Sequence, residues 1–150
     1  MTDNPSIFNP SYEEFTIYSR ADLPVLPTNN DNNLTNTFSP QEYLDVENLD
    51  GQTSIQTSDG QYSVFLFKNK NTDQENISAT WTGKSNIAPS SSAVYLQIYN
   101  RNSTTWETLD TDSTSSVNTN FTLTGTQTTN LSNYFDTNYW ISCRIYQQVI

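Results

Sequence analysis

Apolar side chains at every second position restrict this chain more than any other feature of its sequence. Within residues 92–109, Val94, Leu96 and Ile98 alternate with Tyr95, Gln97 and Tyr99. Successive Cβ atoms of a strand face opposite sides of a sheet, whereas a helix repeats every 3.6 residues, so this spacing predicts a strand. Residues 100–103 (NRNS) then form a turn, and residues 104–109 return with Trp106 placed to cover the pair. Short Asn and Ser side chains suit such a turn because they bond nearby backbone. This hairpin is expected to be the centre of the fold. The alternation recurs at Ile77, Ala79 and Trp81, at Phe121 and Leu123, and at Ile141, Cys143 and Ile145, with Arg144 and Tyr146 on the other face of that last strand. Residues 62–68 are mostly apolar at consecutive positions, as a strand covered on both faces requires.

Turn signals separate these runs, notably Asp50-Gly51 and Asp59-Gly60. Further strands are expected at residues 43–47 and 53–57, and one helical turn at 130–136, where Leu131, Tyr134 and Phe135 fall at helical spacing. Roughly two residues in five are Asn, Ser or Thr, and only 4 are Gly, so Asn and Asp serve most turns while Thr covers outer strand faces. Some eight strands between Pro40 and the C-terminus predict an all-β fold, an antiparallel β-sandwich of the jelly-roll type.

Residues 1–39 differ. Five of the six prolines lie here or at its boundary: Pro5, Pro10, Pro24, Pro27 and Pro40. Proline removes a backbone donor and biases its predecessor toward extended geometry, which argues against central strands and long helices. The region therefore reads as an extended arm and linker ahead of a sandwich over residues 40–150, with an edge strand at 13–19 and a loop with little to bury at 28–37. Its apolar residues Phe8, Tyr12, Phe15, Ile17, Leu23, Val25 and Leu26 are expected to contact an assembly partner, because clustered exposed apolar groups mark contacts.

The chain has no His and a single Cys, which excludes His-based triads, thiolate clusters and imidazole zinc sites. The Gly-rich phosphate loop is absent too. Glu13/Glu14, Glu42/Asp45/Glu47 and Glu107/Asp110 are the acid groupings a glycosidase would need, yet each also reads as surface charge. Asp45, Glu47, Asp50 and Asp59, or Asp110 and Asp112, supply oxygens without matching a defined Ca²⁺ loop. The chain is thus expected to be no enzyme and to need no cofactor or metal. A net charge of −10, with only 6 basic residues, argues against nucleic acid. No stretch is long and apolar enough for a membrane-spanning helix, and the N-terminus shows no basic segment followed by an apolar one, so no secretion signal is expected. Tyr95, Tyr99, Trp106 and Tyr146 have the parity, or the reach, to present aromatic faces outward, as stacking on a glycan requires.

Residues 94–109 (VYLQIYNRNSTTWETL), 120–125 (NFTLTG) and 133–148 (NYFDTNYWISCRIYQQ) resemble small structural proteins of tailed bacteriophages. The resemblance spans residues 62–148 and implies a virion component with a jelly-roll domain of the galactose-binding-like or decoration kind. It brings no catalytic residues, and the arm lies outside it. The expected function is therefore docking on a capsid, neck or tail through the N-terminal arm, with carbohydrate binding for host attachment as the alternative. Expected partners are other virion proteins and further copies of the chain in a homo-oligomer such as a trimer. The expected location is the virion's outer surface, after synthesis in the host cytoplasm.

Overall fold

The structure, a computed structural model, describes residues 2–5, 16–46, 54–56, 61–70 and 76–148. Among these residues the elements run β1 (Thr2–Pro5), β2 (Thr16–Leu23), β3 (Asn36–Thr37), α1 (Pro40–Val46), β4 (Ser54–Ile55), β5 (Tyr62–Lys70), β6 (Ile77–Lys84), β7 (Val94–Asn100), β8 (Thr105–Asp112), β9 (Phe121–Gln127) and β10 (Trp140–Gln148). A single 3-10 turn, Leu131–Asn133, precedes β10. All strand pairs are antiparallel, in a six-stranded sheet of order β3-β2-β5-β10-β7-β8 and a four-stranded sheet of order β4-β1-β6-β9. The protein is all-β, with two antiparallel sheets in a sandwich-like arrangement.

The parity read from sequence decides which side chains meet between the sheets. Phe65 and Phe67 on β5, Leu96 and Ile98 on β7, and Ile141, Cys143 and Ile145 on β10 are all buried against Ile77, Ala79, Trp81, Phe121 and Leu123 of the smaller sheet. Full burial of such a side chain contributes about 1.5–3 kcal/mol, so this layer is the main source of stability. Cys143 is fully buried, and burial pushes its thiol well above the ordinary range, which leaves it an inert hydrophobe.

The sheets meet along one seam at β8 and β9. There Thr124 N–H donates to Asp110 Oδ2 at 2.9 Å, which occupies a donor on the free edge of β9. Gly125 lets the strands close: a Cβ on it would stand 2.6 Å from Leu109 Cβ.

Three expectations are corrected. The hairpin over residues 94–112 forms, with Asn100 Oδ1 accepting from the N–H groups of Asn102 and Ser103. It occupies one side of the six-stranded sheet, however, and β5 and β10 form its middle. Residues 43–47 do not begin a strand, because Tyr43–Val46 belong to α1. Ser39 Oγ accepts from Glu42 N–H at 3.2 Å, Pro40 fills the first helical position, and Tyr43 and Val46 bury one face. Ser39-Pro40-Gln41-Glu42 is a capping-box sequence, and that local signal outweighs a weak alternation.

The third correction concerns the N-terminal region. β2 pairs with β5 through eight registered positions, from Thr16 opposite Asn69 to Leu23 opposite Tyr62. β1 lies between β4 and β6 in the other sheet. No boundary at residue 39/40 separates an arm from the sandwich: the early segments are strands within it. Proline permits this because Pro24 and Pro27 follow β2 rather than interrupt it. Of the expected contact residues, Phe8, Tyr12 and Phe15 lie outside the described residues. Ile17 and Leu23 are half-buried in β2, Leu26 is half-buried beyond it, and Val25 alone is prominent at 74% exposure.

Candidate functional site

On the outer face of the six-stranded sheet, Ala21, Val64 and Leu66 are as buried as the core. What covers them is the polar stretch after β2, which crosses the sheet as a strap. Its attachments are mainly donors on the sheet reaching its backbone carbonyls. Arg144 Nη1 donates to Pro27 O at 2.6 Å, Tyr99 Oη to Asn29 O at 2.8 Å, and Trp106 Nε1 to Asn30 O at 3.1 Å. Ser142 Oγ donates to Asp31 Oδ2 at 2.6 Å, and Arg101 Nη1 forms an ion pair with the same oxygen at 2.9 Å. Leu34 N–H donates to Ser19 Oγ at 3.0 Å. A water-sized gap of about 10 Å³ remains beneath, between Leu23, Leu34, Leu66 and Arg144. The loop expected to bury little is thus the lid of a second, smaller core.

Arg144 is the hinge of this face. Only 4% exposed, it also donates from Nε to Gln97 Oε1 at 2.9 Å. Its guanidinium lies 4.2 Å from the Trp106 ring centroid and 5.5 Å from that of Tyr146. Burial lowers its pKa to about 10, so it is still a cation at neutral pH. Two aromatic faces and two oxygen acceptors take the place of a counter-ion, a role suited to a planar guanidinium.

Around this cation the rings form a continuous row. Tyr99 and Trp106 are 5.1 Å apart, and on the far side of Arg144 the rings of Tyr146 and Tyr95 stack at 5.0 Å with 20° between their planes. Tyr62 meets Tyr146 edge-on at 6.1 Å. Four aromatics were expected to face outward together, and the fold divides them. Tyr99, 5% exposed, and Trp106 have their polar atoms bound to the strap, and they serve as its anchors rather than as a glycan surface. Tyr95 and Tyr146 stay half-exposed, and Tyr62, whose parity on β5 would have identified it, joins them. Burial, with Tyr95 and Tyr62 adding to it and Arg144 opposing, raises the Tyr146 pKa, so it is a neutral phenol in ordinary buffers. Among the described residues none of these three hydroxyls has a hydrogen-bond partner.

The acid groupings are occupied structurally. Glu107 accepts from Asn100 and Tyr134, and that bond and charge, after burial, raise the Tyr134 pKa to about 12. Asp112 accepts from the backbone of Thr114 and Ser115 and from the Ser115 hydroxyl. Glu42 pairs with Arg20 at 3.0 Å. Glu13, Glu14, Glu47, Asp50 and Asp59 lie outside the described residues, and among those described no three His, Cys, Asp or Glu side chains converge on a metal position.

The Asp31 attachment is pH-sensitive. Burial raises its carboxyl, but the Ser142 hydrogen bond and the Arg101 and Lys68 charges outweigh that and hold it below its ordinary value of 3.8. A depressed folded pKa gives stability that is complete above the unfolded value and is lost as pH falls through the folded one. The strap is therefore expected to loosen below about pH 4. Tryptophan emission, to which Trp106 contributes alongside Trp81 and Trp140, should show that acid step in the native chain and lose it in Asp31→Asn.

No curated protein and no solved structure matches this chain. The family model AF_1625_C, described as "Uncharacterized protein, C-terminal domain", matches residues 13–148, from before β2 through the last residue of β10. The chain belongs to that family.

Proposed function

We propose that this protein is a non-catalytic binding domain that holds carbohydrate against the tyrosine face of Tyr62, Tyr95 and Tyr146. The supporting observation is that three half-exposed phenol rings lie side by side on neighbouring strands, their hydroxyls without a hydrogen-bond partner among the described residues. The apolar C–H face of a pyranose stacks on such rings, while its hydroxyls bond the phenols at the edge. A rigid, strap-backed sheet keeps the rings in place, so little ordering entropy is lost on binding. The acidic surface favours neutral over anionic sugars.

The test is retention of the full chain on immobilised neutral glycans. Tyr95→Ala and Tyr146→Ala are each expected to weaken retention roughly tenfold, the equivalent of about 1.4 kcal/mol for one lost stacking partner. Tyr→Phe at the same positions keeps the stack and most of the binding. Equal retention by the Ala variants would remove the tyrosine face from consideration.

A second reading, favoured by the exposure of Val25, is a virion structural component that docks on a capsid or tail protein, as a homo-oligomer on the particle's outer surface. In that reading Val25→Asp prevents incorporation while Tyr146→Ala does not.

A further inference from the structure

At the end of the sandwich opposite the tyrosine face, the loop from the 3-10 turn to β10 encloses a surface hollow of about 340 Å³ lined by Leu131, Ser132, Phe135, Asp136 and Tyr139. Leu131 and Phe135 are anchored from behind, packed against the core. Tyr139 is the unusual member. It has φ 65°, in the left-handed region that suits Gly and Asn, yet it is an aromatic residue with 43% of its surface exposed. A large aromatic residue that costs about 1 kcal/mol of backbone strain and still leaves 43% of its surface exposed is a weak contributor to the fold. What it does is bring its ring to Phe135, 6.3 Å between centroids and 69° between planes, which makes a two-walled aromatic corner.

Asp136 lines the same hollow, and its carboxylate is fixed in place. Asp136 Oδ1 accepts from the N–H groups of Asn138 and Trp140 at 2.8 and 2.9 Å, and the Asp136 carbonyl accepts from Tyr139 N–H at 3.1 Å. Oδ2 has no partner among the described residues. Lys68 interacts with Asp136 through its charge, but it is half-buried on β5 and the two form no ion pair. Two rings at an angle and a carboxylate oxygen without a partner among the described residues, lining one hollow on a protein of net charge −10, favour a cation with an apolar surface over a neutral or anionic ligand.

We infer that the Phe135–Asp136–Tyr139 hollow is a binding site for an alkylammonium group. Methyl or methylene groups pack into the aromatic corner, and the positive charge faces Asp136 Oδ2. Small quaternary amines and lysine side chains both present this chemistry. The inference is independent of carbohydrate binding at the tyrosine face.

The experiment is titration of the full chain, followed by the amide signals of residues 131–140, with choline and with its neutral isostere 3,3-dimethylbutan-1-ol. A second arm uses N-acetyl-lysine methylamide and its trimethylated form, and a preference for one arm identifies the source of the ammonium. Choline is expected to give saturable shifts and the neutral isostere at least tenfold weaker ones. Asp136→Asn keeps an oxygen acceptor for the two backbone N–H groups and is expected to weaken choline binding about tenfold with the fold intact. Tyr139→Asn is expected to be at least as thermostable as the native chain, because Asn accepts the left-handed backbone, and to lose binding by a similar factor. Shifts of equal size with the neutral isostere, no shift with any of the four probes, or unchanged choline affinity in Asp136→Asn would each overturn the assignment. A Tyr139→Asn variant that binds normally but melts lower would show the ring to be structural instead.

Discussion

Arg144→Ala is expected to destabilise the domain by about 3 kcal/mol and to release the strap from the sheet. The truncation removes hydrogen bonds to Pro27 O and Gln97 Oε1 and the contacts with the Trp106 and Tyr146 rings. It leaves the Pro27 carbonyl and the Gln97 amide without their donor, and an orphaned buried acceptor costs about 1–3 kcal/mol. The gain from no longer desolvating a guanidinium offsets part of this, which keeps the total below the sum of the contacts. Two further variants separate charge from shape. Arg144→Lys keeps the cation but cannot stack as a plane and reach both acceptors, so it should recover less than half of the loss. Arg144→Met fills the volume without burying a charge and should be the milder change. Chemical denaturation with tryptophan emission measures all three. Full rescue by Lys would mean that positive charge alone is what the face needs.

Gly125→Val is expected to cost about 3 kcal/mol, the upper part of the range for overpacking, and Gly125→Ala somewhat less. The atom a new Cβ meets is Leu109 Cβ, 2.6 Å away, which is fixed to the β8 backbone and cannot swing aside. Relief requires β8 and β9 to part, which also stretches the bond between Thr124 N–H and Asp110. Leu109→Ala does not help Gly125→Ala, because the clashing Cβ remains, whereas Leu109→Gly does. That double variant should recover stability relative to Gly125→Ala alone. Thermal unfolding of the singles and the double makes a cycle that reports the seam directly. Additive losses would show that the clash is absorbed elsewhere.

Both expectations concern contacts that residue types do not announce. The inward rows were legible because parity is a local property. Once Val94 faces the core, so do Leu96 and Ile98, whatever the rest of the chain does, and a slip of one residue would turn them all to the other face. The 3-10 turn that seats Leu131, Tyr134 and Phe135 was legible from spacing for the same reason. The capping box before α1 was present in the sequence too, as Ser39 and Glu42, although a nearby alternation pointed to a strand.

The strap had no comparable signal. Its attachments join Pro27 to Arg144 and Asp31 to Ser142, 117 and 111 positions apart. Three of the acceptors, on Pro27, Asn29 and Asn30, are backbone carbonyls, which every residue type carries alike. A segment held this way has no apolar row to reveal it, and only the donors on the sheet, Tyr99, Trp106, Ser142 and Arg144, hint that something must lie over them. The tyrosine face and the aromatic corner share this limit. Sequence alone determined which side of a strand each ring occupies, since a pleat alternates without reference to its neighbours. The tertiary structure decided which rings the chain covers with its own backbone and which it leaves exposed, because that depends on where a distant carbonyl comes to rest.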